Sequence, residues 1–239
     1  MSKFGLLGKN ISYSFSKSYF EEKFAILDLP HTYDNFDLVS ISEFPSILKN
    51  NPDLVGLNVT IPYKEKIIPF LDEISEKAKD IGAVNTIAIS KSGHLKGYNT
   101  DYYGFKKSIE PLLKPHHKNA LILGTGGASK AIAYTLKELN IHFDFVSRTP
   151  NDKSKFNYND LTESTISSHP IIINCTPVGT YPKVNECPNI PYDGISKNHL
   201  LYDLIYNPLQ TKFLICGELK SADICNGLEM LELQAEKAW

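Results

Sequence analysis

A short apolar run, Ala120 to Leu123, stops at a glycine cluster, Gly124-Thr125-Gly126-Gly127. Apolar residues then repeat at helical spacing: Ala128, Ala131, Ile132, Ala133, Leu136 and Leu139. Strand, glycine turn, helix is the context in which a G-x-G-x-x-G pattern has chemical meaning. The glycines let the backbone turn sharply and approach a pyrophosphate, whose charge sits at the helix N-terminus. Ser129 holds the third glycine position and is small enough for close packing of helix on strand. Glycine turns also join strands to helices for purely structural reasons, so the loop gains weight only from its surroundings.

The chain has 239 residues, enough for two small domains, and its 42% hydrophobic content can bury a substantial core. A net charge of -2 without a basic run gives no reason to expect nucleic acid. No apolar run approaches the roughly 18 residues of a membrane span, and Gly5, Gly8, Lys9 and Asn10 interrupt the N-terminus too early for a signal peptide. Cys175, Cys187, Cys216 and Cys225 form no C-x-x-C pair, and no histidine cluster with ligand spacing lies near them. Free thiols in a reducing cytoplasm are expected, with no bound metal. Of the 25 basic residues only Arg148 is an arginine.

Lys3 to Gly8 reads as a first strand, followed by a hydroxyl-rich loop, Ile11-Ser12-Tyr13-Ser14-Phe15-Ser16-Lys17-Ser18. An extended backbone there points Ser14 and Ser16 the same way; a helix cap at Ser16 or Ser18 is the plainer reading. Tyr19, Phe20, Phe24 and Leu27 then make a helical apolar face. His31 to Leu38 reads as a strand and Ser42 to Leu48 as a helix. The strand from Leu54 ends at Pro62, which stops a ladder and can begin a helix. Asn58, Thr60 and Lys64 gather at its carboxyl end, where open α/β sheets place ligands. A helix over Glu73 to Asp80, a hairpin of Ile87 to Ser90 with His94 to Tyr98, and a helix over Tyr102 to Leu113 follow. Ser14, Ser16, Asn58, Thr60, Asn85 and Asn99 thus supply uncharged hydrogen-bonding groups from four turns, with one lysine and one aspartate. That set suits a small polyhydroxylated ligand.

Beyond a linker at Lys114 to Lys118 lies the nucleotide unit. Its second strand, Ile141 to Val146, ends in Ser147-Arg148-Thr149. A carboxylate there would bind the ribose 2′-hydroxyl of NAD; a hydroxyl and a guanidinium suit a 2′-phosphate. Ile171 to Asn174 and Leu200 to Ile205 read as further strands, Leu209 to Ile215 as a helix, and the residues after Gly227 as a C-terminal helix.

Taken together and in order, these motifs resemble the shikimate dehydrogenase family almost end to end. The resemblance rests on Ser14-Phe-Ser16, Asn58-Val-Thr60-Ile-Pro62-Tyr-Lys64-Glu65, Gly82-Ala-Val-Asn85-Thr86, Gly97-Tyr-Asn99-Thr100-Asp101, the Gly124 loop, Ser147-Arg148-Thr149, Asn174-Cys-Thr176-Pro177-Val-Gly179, and Gly227 with Gln234-Ala235. It implies a two-domain α/β protein. A mixed-sheet substrate domain would comprise 1–101 with a returning helix at 228–239, and a Rossmann-like NADP domain would comprise 102–227. It implies reduction of 3-dehydroshikimate with NADPH in the cytoplasm, by a monomer or homodimer. Lys64 and Asp101 match the catalytic pair. Ser14, Ser16, Thr60, Asn85, Tyr206 and Gln234 match substrate positions. Glu76, Gly124, Thr125, Gly126, Gly127, Ala128, Arg148, Thr149, Leu204 and Gly227 match cofactor positions.

The sequence departs from the family where Tyr13 and Lys17 replace a histidine and a proline, where Ser147 replaces an asparagine, and where the last helix ends soon after Gln234. Hydride addition to a ketone builds negative charge on oxygen, and a lysine beside a carboxylate can meet that charge and relay a proton. The alternatives are a mixed quinate/shikimate enzyme, a folate dehydrogenase-cyclohydrolase, and a nucleotide-binding module without catalysis. The paired serines and the Asn85 and Asp101 motifs do not belong to the second, and retention of both Lys64 and Asp101 argues against the third.

Overall fold

The computed structural model describes residues 2–12, 14–149 and 155–239. The chain divides into two compact units, Met1–Thr100 with Ala238–Trp239, and Asp101–Lys237.

The first unit contains β1 (Lys3–Gly8), α1 (Phe15–Ile26), β2 (Thr32–Asp37), α2 (Phe44–Asn50), β3 (Leu54–Val59), β4 (Glu73–Ile74), α3 (Glu76–Ile81), β5 (Thr86–Ile89) and β6 (Leu95–Tyr98). Its six strands run in the order β2-β1-β3-β5-β6-β4. β1 is parallel to β2 and β3, whereas β5 is antiparallel to β3 and β6. The mixed sheet follows from the connections: helices carry the chain between the first three strands, and a tight turn at Gly93 joins β5 to β6. Leu7, Leu57, Val59 and Ile87 bury one face against Phe44, Tyr63, Ile67 and Ala78.

The second unit contains α4 (Asp101–Ile109), β7 (Asn119–Leu123), α5 (Gly127–Glu138), β8 (His142–Ser147), β9 (Phe156–Asn157), α6 (Glu163–Ser167), β10 (Ile171–Asn174), β11 (Leu200–Asp203), α7 (Lys212–Glu218), β12 (Asp223–Cys225) and α8 (Leu228–Ala238). The strand order is β12-β11-β10-β7-β8-β9, with every pair parallel. Apolar runs such as Ile171-Ile172-Ile173 are continuous because both faces are covered. Ala120, Ile122, Ile171 and Ile173 face α4, α5 and α8 through Phe105, Ile132, Leu136 and Met230. Their neighbours Leu121, Leu123 and Ile172 face α6 and α7 through Ile166, Phe213 and Leu214.

The expected fold class is therefore found, and several boundaries move. Ser14 caps α1, rather than Ser16 or Ser18: its Oγ accepts the Ser16 N–H at 3.2 Å. Ser16 thus lies in the first helical turn and does not alternate with Ser14 on an extended strand. Leu27 closes α1 as its C-cap and is half exposed, outside the apolar face. Turns, not a helix, follow Pro62, where the Tyr63 N–H reaches the Thr60 carbonyl at 2.9 Å. The helix expected over Glu73 to Asp80 begins later, because Glu73 and Ile74 pair with β6 and Ser75 caps α3. The helix expected from Leu209 starts at Lys212, where Thr211 caps it. The short β9, α6 and β12 carry too few residues to show a period.

Candidate active site

In the first unit the predicted substrate groups gather at the carboxyl ends of β1 and β3. Gly8 lets the two loops meet: a Cβ there would lie 2.6 Å from both Ile11 Cγ2 and Thr60 Cγ2. The Thr60 N–H donates to the Leu7 carbonyl at 2.9 Å, so Thr60 continues the ladder past β3. Asp37 at the end of β2 receives the N–H groups of Asn10 and Ile11, at 2.8 and 3.1 Å, and fixes the loop that leads to Ser14. Tyr13, which replaces the family's histidine, lies outside the described residues. Lys17, which replaces the proline, pairs with Glu21 at 3.4 Å and Asp34 at 3.6 Å.

The Gly82–Asn85 loop ties together the two motifs that carry the candidate catalytic residues. The Lys64 carbonyl accepts the Val84 N–H at 2.7 Å. Asn85, 3% exposed, accepts the Thr100 N–H at 2.7 Å and donates to Thr100 Oγ1 at 3.0 Å. Asn99 donates back to the Ala83 carbonyl at 3.0 Å. Both buried amides are thereby satisfied, and Thr100 is the residue before Asp101. Loss of either amide strands buried partners, so these asparagines shape the loop as well as lining it.

In the second unit Asp101 opens α4 and is buried. One turn on, Gly104 meets α8: a Cβ there would lie 2.4 Å from the Met230 carbonyl oxygen and 3.0 Å from Gln234 N. The crossing of α4 and α8 thus brings Asp101 and Gln234 into one neighbourhood. The Gln234 amide donates to the Leu231 carbonyl at 2.9 Å. Leu204 and Gly227 also meet. A Cβ on Gly227 would stand 2.2 Å from the Leu204 carbonyl oxygen, and the Gly227 N–H donates to Ile205 at 3.1 Å. Tyr206, two residues beyond Leu204, is partly buried.

The glycine loop fits a pyrophosphate. Gly124 has φ 101°, a conformation that a side chain would strain, and a Cβ would sit 3.0 Å from Thr176 Cγ2. Gly126 caps the twelve-residue α5 with no side-chain hydrogen bond, and a Cβ on it would meet nothing within 4 Å. The helix start therefore presents its N–H groups beside open space, where the helix dipole favours an anion. Ser129 donates to the Gly126 carbonyl at 2.7 Å and holds the turn. Thr125 and Ala128 flank it, both partly exposed. Arg148 and Thr149 are exposed just past β8, where the Thr149 N–H reaches Ser147 Oγ at 3.4 Å. Arg148 also acts on Tyr158: burial and Cys175 push that phenol up to about 12, and the guanidinium pulls the other way. Glu76, expected at the cofactor, is exposed at the first residue of α3.

Two buried, hydrogen-bonded groups escaped the sequence reading. Asp203, fully buried at the end of β11, accepts from Thr211 Oγ1 at 2.6 Å, the Ile205 N–H at 3.1 Å and Asn174 Nδ2 at 3.0 Å. Asn174 in turn accepts from the N–H and hydroxyl of Thr176, at 3.0 and 2.6 Å. One carboxylate thus sets both loops that leave β10 and β11. Burial pushes its pKa up to about 6 against those three hydrogen bonds. Its signal in sequence is the Asp203-x-x-Tyr206-x-Pro208-x-x-Thr211 spacing. The other is Tyr33, which lies in no motif.

The four cysteines are free, as expected. Among the described residues no helix is long and apolar enough to cross a membrane, and no group of acidic, histidine and cysteine side chains has a metal-binding arrangement.

Comparison with known proteins bears on the whole of this arrangement. The family described as shikimate dehydrogenase substrate binding domain matches residues 6–87. A Methanosphaera stadtmanae protein named shikimate dehydrogenase (NADP(+)) is 39% identical over 253 residues, spanning 98% of this chain and 89% of its own. The crystal structure of shikimate dehydrogenase 1 from Peptoclostridium difficile superposes with a TM-score of 0.86 at 39% identity, covering 100% of this chain and 90% of that one. The Thermus thermophilus enzyme, solved with NADP(H) and shikimate, gives a TM-score of 0.88 at 30% identity, covering 100% and 92%. Likeness of this degree runs through both units, and the chain belongs to the shikimate dehydrogenase family.

Proposed function

We propose that the protein reduces 3-dehydroshikimate to shikimate with NADPH, a step of aromatic amino acid biosynthesis. The observation that carries this reading is the Gly82–Asn85 loop. It receives the backbone of Lys64 on one side and that of Thr100, next to Asp101, on the other. Lysine and aspartate in this setting suit proton delivery to a carbonyl oxygen.

In this reading six matched positions hold the substrate. Ser14 and Ser16 take its carboxylate from the first turn of α1, while Thr60, Asn85, Tyr206 and Gln234 take its hydroxyls. Neutral donors of this kind reject an analogue that lacks the matching group, because their own buried polar atoms would then go unpaired. Lys64 and Asp101 are the proton-delivering pair of this reading. The pair supplies a proton as negative charge develops. The second unit holds NADPH, which supplies the hydride when bound. Gly124 to Ala128 and the start of α5 receive the pyrophosphate, Arg148 and Thr149 the 2′-phosphate, and Glu76, Leu204 and Gly227 complete the cofactor set. The free thiols support a cytoplasmic location.

Steady-state rates for shikimate and quinate with NADP and NAD test the reading. The pair shikimate and NADP should give the highest kcat/KM. No turnover with any combination would refute it, and a preference for quinate would reassign the substrate.

A further inference from the structure

Tyr33 sits on β2, the edge strand of the mixed sheet. Its side chain is 2% exposed, and its ring stacks on Phe20 of α1, with centroids 4.8 Å apart and planes 11° apart. The stack aims the phenol along the sheet toward β3. Tyr33 Oη donates to Asn58 Oδ1 at 2.8 Å, and the Ser16 hydroxyl bonds the same phenol from α1. Burial raises the phenol far above its ordinary range, so it stays a neutral hydroxyl.

The row continues across the sheet. Asn58 Nδ2 reaches Thr86 Oγ1 at 3.5 Å, and Thr86 Oγ1 donates to Asn85 Oδ1 at 3.1 Å. That oxygen also accepts the Thr100 N–H at 2.7 Å. Ser16, Tyr33, Asn58, Thr86, Asn85 and Thr100 thus form one hydrogen-bonded row through the first unit. The Thr100 N–H fixes the Asn85 amide, so only the outer part of the row, Asn58, Tyr33 and Ser16, can run in either direction. Each hydroxyl both donates and accepts, and an amide turned over presents nitrogen where it presented oxygen. With Asn58 donating to Tyr33 and Tyr33 donating to Ser16, the Ser16 proton is directed at an incoming anion. Successive donors of this kind strengthen one another.

We infer that Tyr33 is a positioning residue for substrate recognition, which orients the Ser16 hydroxyl toward the substrate carboxylate. The inference rests on the assignment of Ser16 to that carboxylate in the proposed function. Tyr33 does not touch the substrate; it acts through Ser16 and is braced by Asn58. Lys17, next to Ser16, and Asp34, next to Tyr33, are engaged in ion pairs, Asp34 with Lys3 at 3.0 Å and with Lys17 at 3.6 Å.

The test is Tyr33→Phe, which keeps the ring and its stack on Phe20 and removes only the hydroxyl. Wild-type turnover of shikimate with NADP comes first; its absence would overturn the proposed function itself. Given that turnover, Tyr33→Phe should raise the KM for shikimate by about five- to tenfold, the range of one hydrogen bond. Its kcat should change by less than about twofold, and the KM for NADP should not move. An unchanged or lowered shikimate KM would overturn the inference, as would equal changes in both KM values and kcat, the mark of a general structural loss. A second comparison holds even if Tyr33→Phe is less stable. In a Ser16→Ala background the same change should add less than about twofold to the shikimate KM, because Tyr33 acts through Ser16. A full, independent effect in that background would refute the mechanism.

Discussion

The two units solve ligand recognition with different materials. In the first, the candidate substrate groups are set by side-chain hydrogen bonds: Asn85 to Thr100, Asn99 to the Ala83 carbonyl, and Asn58 to the buried Tyr33. In the second, the candidate nucleotide face is mostly backbone: the Gly124 turn, the α5 start capped by Gly126, and the close approach of Gly227 to Leu204. One side chain, Arg148, adds charge at its rim. Side-chain networks confer selectivity among hydroxylated ligands, since each member is held by another. A backbone cradle tolerates many sequences but forbids added volume. The units should therefore fail differently when altered.

The largest expected effect lies with the proton pair. Lys64→Ala should lower turnover by at least about 10²-fold, the usual scale for acid–base groups, while shikimate binding weakens much less. Steady-state kinetics with direct binding of shikimate would separate the two. A large rise in KM with normal turnover would make Lys64 a binding residue only.

The backbone cradle should break by volume. Gly227→Ala places a Cβ 2.2 Å from the Leu204 carbonyl oxygen, and the nearest atoms are all Leu204 backbone, with no flexible side chain to yield. Overpacking of this kind costs typically about 1–3 kcal/mol. A lower thermal midpoint together with weaker NADP binding is expected. A variant as stable as wild type with unchanged NADP binding would show that the Leu204 strand end moves freely.

Arg148→Ala should raise the NADP KM by at least about tenfold, the scale of a charge-assisted hydrogen bond, and leave NAD use nearly unchanged. Kinetics with both cofactors decide. Equal losses would separate Arg148 from the 2′-phosphate.

A separate effect is a slope of stability with pH. Asp203 has a folded pKa of about 6, raised above the ordinary 3.8 by burial. The native state thus holds this proton more tightly than the unfolded chain. The contribution of this group is most favourable below about pH 4, falls as pH rises to about 6, and costs roughly 3 kcal/mol above that. Asp203→Asn should remove this slope. Denaturation at several pH values would show it, and parallel pH profiles for the two proteins would contradict the assignment.

What was legible in the sequence follows the same division. The parallel unit announced itself because Ala120 to Leu123 and Ile171 to Asn174 are continuous apolar runs followed by turn residues. Its glycine loop depends on neighbours in sequence, so spacing carries it. The mixed unit was readable as motifs and less so as geometry. Ser14 became a cap because its oxygen found the Ser16 N–H, a local competition that spacing alone does not decide. Glu73 and Ile74 left their helical pattern for a ladder with Lys96 and Gly97, a tertiary preference. Tyr33 gave no signal at all. Its partner Asn58 is 25 residues away, and nothing in a run of Thr32-Tyr33-Asp34-Asn35 says which side chain faces α1. Asp203 was hidden likewise, since its meaning depends on Asn174, 29 residues upstream.

The central claim is that Lys64 and Asp101 act as one unit in proton delivery, and a double-variant cycle tests it most directly. Turnover is measured for wild type, Lys64→Ala, Asp101→Asn and the combination, each checked for folding and shikimate binding. Residues that act together lose their effect once, so the double variant should fall little below the worse single variant. A double loss equal to the product of the two single losses would contradict the pair and leave two residues working independently.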